Sequence, residues 1–427
     1  MNQKNSSKLS QYLIYGFLLS FFLIKLPPIY IVPLFHPSLS TSYVLFTFIV
    51  IAISITLVLK KEIKFTKKEK KLLIIFIIYF TLASLSSINA VSITDFFQSY
   101  KNVVIAGLFL FLTIQFREYY KKIIWILIFS MIITSSYQLF AFFSPNIFKL
   151  IGDIFIEQKH FNLVSLDLYR GRIFTETYEE IVFPLIFALL ASKKGFLGNP
   201  IISMLLLLLS AIPSFISNFR TRIIMITISA FCSIFLLTNR KIIYSSAIII
   251  LGLFIIGSTI NYLSSSFFGY SYFDRFLLTN TQDTISIVSR NDSINKALDM
   301  GIANPFFGVG LGNYYNHIPN QYKFSSTLNS NSQELSNIAL QNPHNIFAQL
   351  FAETGFFSVG FYFVMLFIFL KSDISIFRKN KPTYQKAFII SFWTLFTYSL
   401  FNPVTSLAYN SLFWSFRALA NYDKSTY

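Results

Sequence analysis

The chain has 427 residues, 54% of them hydrophobic and only 12% charged, against about 25% charged in a soluble domain. Apolar runs near 20 residues recur along its length, as helices crossing a hydrocarbon layer of roughly 30 Å require. That excludes a soluble globular protein, and the one cysteine, Cys232, excludes an intrachain disulfide framework.

In chain order, the first apolar run follows Lys4 and Lys8 and contains Lys25, Pro27 and Pro28. It is too long for a signal peptide and no small-residue cleavage site follows, so it is expected to be a retained helix. The predicted spans lie at roughly 11–34, 43–59, 72–90, 96–114, 123–143, 174–192, 199–217, 220–238, 242–261, 345–370, 385–402 and 404–420. The expectation is therefore an all-α polytopic membrane protein. Residues 1–427 form one transmembrane helical domain of about 12 helices. With both termini in the cytoplasm, most of the 35 Lys and Arg residues fall inside, including the lysines of KKEIKFTKKEKK, as the positive-inside rule favours. The net charge of +17 is then a topology signal and a source of contact with anionic lipid headgroups, not a nucleic-acid surface.

Two external segments are long: 144–172, and 262–344 between the ninth and tenth spans. No internal repeat is visible, unlike many transporters, and long loops on a rigid scaffold commonly carry function.

Basic residues gather on this external face. Arg170 and Arg172 of LYRGRIFTETYEE end the first loop, with Glu176, Glu179 and Glu180 just beyond. Arg220 and Arg222 of SNFRTRII stand in the break between two spans, and Arg290 of IVSRNDSINKAL starts an expected amphipathic helix. Gly308, Gly310 and Gly312 of NPFFGVGLGNYYNH predict a tight turn with close backbone approach. NPHNIFAQLFAETG closes the large loop with His344, Asn345 and Glu353. Each has a plain alternative: arginines at helix ends snorkel to headgroups, Glu176 pairs with Arg172, and His344 and Asn345 belong to a helix cap. Their convergence, from four separate segments, points instead to a phosphate or pyrophosphate ligand, since arginine suits bidentate phosphate binding. His344 would then be a general base or a hydrogen-bond donor to phosphate. His36, His160 and His317 are scattered and read as interface or solvated loop residues, and no metal-ligand spacing occurs.

These motifs resemble the O-antigen polymerase/ligase family. NPFFGVGLGNYYNH followed by PHNIFAQLFAETGFFSVGFYF is similar to its C-terminal signature. SRNDSINKALDMGIANP, FRTRIIMITIS and RGRIFTETYEEIVFPLIFALL resemble its arginine-bearing segments. The resemblance covers roughly 165–370 by motif and the rest by topology. It departs at GRIFTETYEE, where ligases often carry Gly-x-Phe-x-Asn-Pro-Asn, and so leans toward a polymerase.

The resemblance implies a metal-independent glycosyltransferase of the bacterial inner membrane, without cofactor, whose site faces the periplasm. It implies a donor glycan on undecaprenyl pyrophosphate, and as acceptor either a lipid-linked repeat unit (polymerase) or lipid A–core (ligase), with a chain-length regulator as a further partner. Carried over residue by residue, His344, Arg290 and Arg220 would be catalytic. Arg222, Arg172, Arg170, Glu176, Asn345 and Gly310 would bind substrate. Glu353 is expected to be structural. Two other classes compete: an anion transporter with arginines along its path, and an envelope scaffold. Buried charges spread over both halves of the bilayer would favour transport, and clustering at one face favours the transferase.

Overall fold

In lipid every backbone polar group must find its partner inside the protein, so long apolar runs become helices, and the chain is built of them. The computed structural model describes residues 3–26, 41–61, 63–144, 178–192, 199–216, 220–234, 241–268, 281–318, 343–378, 383–402 and 406–422. The α-helices among them are α1 Gln3–Lys25, α2 Thr41–Lys60, α3 Lys67–Leu85, α4 Ile93–Gln115, α5 Tyr120–Phe143, α6 Phe183–Ser192, α7 Pro200–Ile216, α8 Arg220–Ile234, α9 Lys241–Phe268, α10 Thr281–Ala303, α11 Ile346–Arg378, α12 Thr383–Ser399 and α13 Leu407–Asn421. No strand occurs among the described residues.

The chain is a multi-pass membrane protein. Five of its helical stretches, Thr41–Lys60, Lys67–Asn89, Ile93–Gln115, Arg117–Phe143 and Ile346–Arg378, are long and apolar enough to cross a bilayer. A helix also stands at each of the other seven predicted positions. The bounds differ in instructive ways. α1 stops at Lys25, ahead of the Pro27–Pro28 pair, because a residue before proline is pushed out of the helical region. In the described part of the sixth predicted span, 178–192, the α-helix starts at Phe183, since Tyr178 adopts φ +49° and leads into a 3₁₀ turn, Glu179–Ile181. α11 runs on to Arg378, eight residues past its predicted end. The amphipathic helix expected to begin at Arg290 begins at Thr281.

Local signals set other starts. α3 begins at a capping box: the Thr66 hydroxyl accepts from Glu69 N, and the Glu69 carboxylate accepts from Thr66 N at 2.7 Å. Glu69 also pairs with Arg117 at 2.9 Å, which ties α3 to the turn between α4 and α5.

α12 and α13 are almost wholly buried and form the centre of the bundle. α13 packs on α4 and α12, while α6 and α8 pack on α12. α10 lies along the first half of α11, where Gly301 faces the Phe351 ring too closely to admit a Cβ. At the far end of α11, Asp373 receives Arg417 of α13 at 2.7 and 2.8 Å and Trp393 of α12 at 2.8 Å, locking three helices together.

Candidate active site

The glycine turn and the start of α11 form one unit. α11 is broken at Gly355, which has φ +79° and ψ −177°. A break frees helix carbonyls and amides, and the 305–310 turn takes them up. Val309 N donates to Ala352 O at 2.8 Å, Gly310 N to Glu353 O at 3.0 Å, and Phe356 N to Pro305 O at 2.7 Å. Non-helical backbone at membrane depth is tolerated where protein satisfies it in this way.

The other side of the turn lies on residues 86–99. Leu311 N donates to Ser86 Oγ at 3.1 Å, Asn89 Nδ2 to Gly308 O at 2.9 Å, and Ser92 N to Asn313 Oδ1 at 2.7 Å. Gly308, Gly310 and Gly312 all have positive φ, which L side chains rarely adopt. A Cβ on Gly310 would lie 2.7 Å from Ala90 Cβ. Gly310 is thus held within a wedge between two helices. The buried Glu353 carboxylate accepts from the backbone amides of Gly312 and Tyr314 and from the Gln349 side chain. The Gly312 and Tyr314 contacts bind it to the turn it anchors.

The break has a consequence within one helix. Gly355→Ala should destabilise the protein by about 1–3 kcal/mol, because its Cβ would run into the Phe306 carbonyl. Gly360→Ala, five residues on, meets nothing within 4 Å and should be neutral or stabilising by up to about 1 kcal/mol. Thermal unfolding of the two variants in detergent would separate them; equal midpoints would show that the break is not required.

His344 precedes α11. Its Nδ1 lies 3.2 Å from the carbonyl oxygen of Phe401, beyond the end of α12. A carbonyl only accepts, so Nδ1 carries the hydrogen and Nε2 is left as the acceptor. Burial, and then the positive charge of Arg290, push the imidazole from its ordinary 6.5 down to about 4, with the Phe401 contact working the other way. At neutral pH the ring is therefore uncharged. Arg290 acts on it from α10, which packs on α11. Asn345 is the helix cap. Its Oδ1 accepts from Phe347 N at 2.9 Å and Ala348 N at 3.2 Å, and its Nδ2 reaches Leu400 O at 3.5 Å.

Arg222 stands in the third position of α8, buried, between two carboxylates. It pairs with Glu179, and its Nε meets Glu180 Oε1 at 2.6 Å. Ser214 donates to Glu180 at 2.7 Å and Gln138 to Glu179 at 3.3 Å. Lys25, only 1% exposed, is close enough to act on both carboxylates and on Arg222. Two cations and two anions thus form a neutral cluster drawn from α1, α8 and the Glu179–Ile181 turn. It adjoins the His344 region through Tyr178, whose ring centre is 5.0 Å from that of Tyr398 in α12. Arg220, two residues before Arg222, is half-exposed at the start of α8 and points to another side of that helix.

Arg290 is near enough to His344 for its charge to act on the ring, and Gly310 belongs to the same unit through α11. Arg170, Arg172, Glu176, His36 and His160 lie outside the described residues. His317, expected to be solvated, is half-buried in the Tyr314–His317 turn, and burial lowers its pKa. Among the described residues no three His, Cys, Asp or Glu side chains gather where they could share a metal ion. Sequence reasoning missed the partners of two residues: the Phe401 carbonyl for His344, and the Glu179–Glu180 pair for Arg222. The second had a signal, because a buried arginine needs an acid and TYEE stands on the same expected face. The first had none, because a backbone carbonyl is the same in every residue.

Residues 181–363 match the family model described as O-antigen ligase. This bears out the resemblance to the O-antigen polymerase/ligase family. The ligase-family region takes in the Glu179–Ile181 turn from its last residue, Arg220 and Arg222, α10 with Arg290, the glycine turn, His344 and the break at Gly355. A search of curated proteins finds no match. The family model favours polymerase or ligase chemistry, a lipid-linked glycan and a role in lipopolysaccharide synthesis, and gives the transporter reading no support.

Proposed function

We propose that this protein is an O-antigen polymerase. It would join oligosaccharide repeat units carried on undecaprenyl pyrophosphate, at the periplasmic face of the bacterial inner membrane, through a bundle of twelve spans with both termini in the cytoplasm. The observation that carries the reading is the geometry at His344, whose Nδ1 lies 3.2 Å from the Phe401 carbonyl and so makes Nε2 the acceptor, inside the region that matches the family model.

The chemistry follows from those groups. Nε2 of His344 takes the proton of the acceptor hydroxyl as its oxygen bonds to the anomeric carbon. The bond from that carbon to the pyrophosphate oxygen breaks, and the pyrophosphate leaves with the electron pair. Arg290 and Arg220 neutralise the charge that builds there, an effect worth roughly 10²–10³ in rate per fixed donor at comparable sites. The acid–base cluster around Arg222 holds the neighbouring helix ends in register. Arg170, Arg172 and Glu176 would complete the acceptor side, with Asn345 and the Gly310 turn shaping the wall. No metal or cofactor is required by this scheme.

A second reading, O-antigen ligase, is favoured by the description of the matching family model. Its acceptor would be lipid A–core. The lipopolysaccharide ladder of a deletion strain decides between the two. Loss of long chains, with lipid A–core bearing a single repeat retained, is the polymerase outcome. Loss of all O-antigen from lipid A–core, with polymer accumulating on the lipid carrier, is the ligase outcome. An unchanged ladder overturns both for this glycan.

A further inference from the structure

A furrow of about 550 Å³ lies between α8, α11 and α12, at the end of α11 away from His344. A second hollow along α11 shares Leu370, Ile374 and Arg378 with it, so the two are continuous. The walls are apolar, with Ile228, Leu370, Ile374, Phe377, Ile390 and Trp393, and Arg378 and Lys386 line the furrow with them. Arg378 is the last residue of α11, so its cation stands at one end of the apolar trough, while Lys371 lies about two turns back along the helix in the second hollow. Asp373 is the acid in the lining, and its carboxylate already holds Arg417 and Trp393. It is internally neutralised and does not repel an anion at Arg378 and Lys386.

We infer that this furrow binds one anionic glycerophospholipid, its phosphate at Arg378 and Lys386 and an acyl chain along Leu370 and Ile374. A headgroup phosphate matches a lysine and an arginine, and an acyl chain matches the trough at about 0.8 kcal/mol per buried methylene. A soluble phosphate would use the two cations and leave the trough empty, so the occupant is a lipid. The site does not rest on the transferase reading, since it shares no residue with the candidate active site.

Cys232, the chain's single cysteine, is half-buried and lines the furrow, which makes it a native reporter. The test is the rate at which N-ethylmaleimide modifies Cys232 in the full-length protein, in nanodiscs of phosphatidylcholine with and without added phosphatidylglycerol. Phosphatidylglycerol should slow labelling several-fold, and Arg378→Gln with Lys386→Gln should abolish the slowing. Equal rates in the two lipids would overturn the site. So would slowing that survives in the double variant, which would reflect only membrane surface charge. Equal protection by inorganic phosphate in phosphatidylcholine discs would overturn the lipid assignment. Should the double variant fail to fold, native mass spectrometry of the wild type provides the second measurement: one retained phosphatidylglycerol supports the site, and none overturns it.

Discussion

His344→Gln should lower turnover by roughly 10²- to 10⁴-fold, the usual worth of a positioned general base, while leaving the protein folded. Its pH dependence tests the role more sharply than its loss does. Burial and Arg290 push the imidazole down to about 4 in the free protein, and the proposed base works in its neutral form. The profile of kcat/KM in wild type should therefore stay flat through neutral pH and fall only as pH drops toward 4. Arg290 is one of the two causes of that depression. Arg290→Gln should accordingly move the acid limb upward, toward the ordinary 6.5, though not fully, because burial remains and is the larger cause. A bound pyrophosphate adds negative charge, so the limb in kcat, which reports the complex, should lie above that in kcat/KM. A limb unmoved by Arg290→Gln would remove His344 as the base. Stability follows the same sign. The folded pKa lies below the unfolded value, so His344's contribution is present above about pH 6.5 and is lost as pH falls toward 4. Measurement would use a purified lipid-linked substrate, with chain extension read by gel.

Arg222→Met should be the most destabilising single change in the bundle, at about 3–5 kcal/mol. It removes the guanidinium shared by Glu179 and Glu180 and leaves the two buried carboxylates to the Lys25 cation and their neutral donors, Ser214 and Gln138. Arg222→Lys should recover only part of the loss, because a point charge on a flexible stem cannot span two carboxylates as a planar fork does. Combining Arg222→Met with Glu179→Gln should recover much of the loss, because Lys25 then balances the one remaining carboxylate, Glu180. Fluorescence-detected size exclusion in detergent, with a thermal ramp, reads all three. The combined variant also separates two roles. If it folds and extends chains, Arg222 is structural; if it folds without activity, its cation is needed by the substrate.

The glycine turn was legible because its residues carry a conformational demand. Three alternating glycines before a histidine require backbone that other residues do not supply, and the structure gives all three positive φ. Glu353 was read as structural from its position, nine residues beyond His344, and it proves to hold two turn amides. The break at Gly355 was not legible. A glycine inside an apolar helix is common, and nothing local reveals that residues 305–310 will occupy the gap. Arg222 was read with Arg220 as a ligand for phosphate. The two stand in the same dipeptide pattern, and only the packing of α8 against the Glu179–Ile181 turn distinguishes the buried one from the half-exposed one.

Composition and the period of apolar runs determined, without any structure, that this chain is a helical membrane protein. Those signals are local: each span needs only its own length and apolarity to be recognised. Tertiary structure alone decided which groups meet. The tautomer of His344 depends on a carbonyl 57 residues away. The charge of Arg222 is balanced by carboxylates more than 40 residues away. The glycine turn is fixed by hydrogen bonds to residues 86–92, some 220 positions earlier. Such pairings are set by how helices pack in the bundle, and a one-dimensional pattern of polar and apolar residues does not encode them.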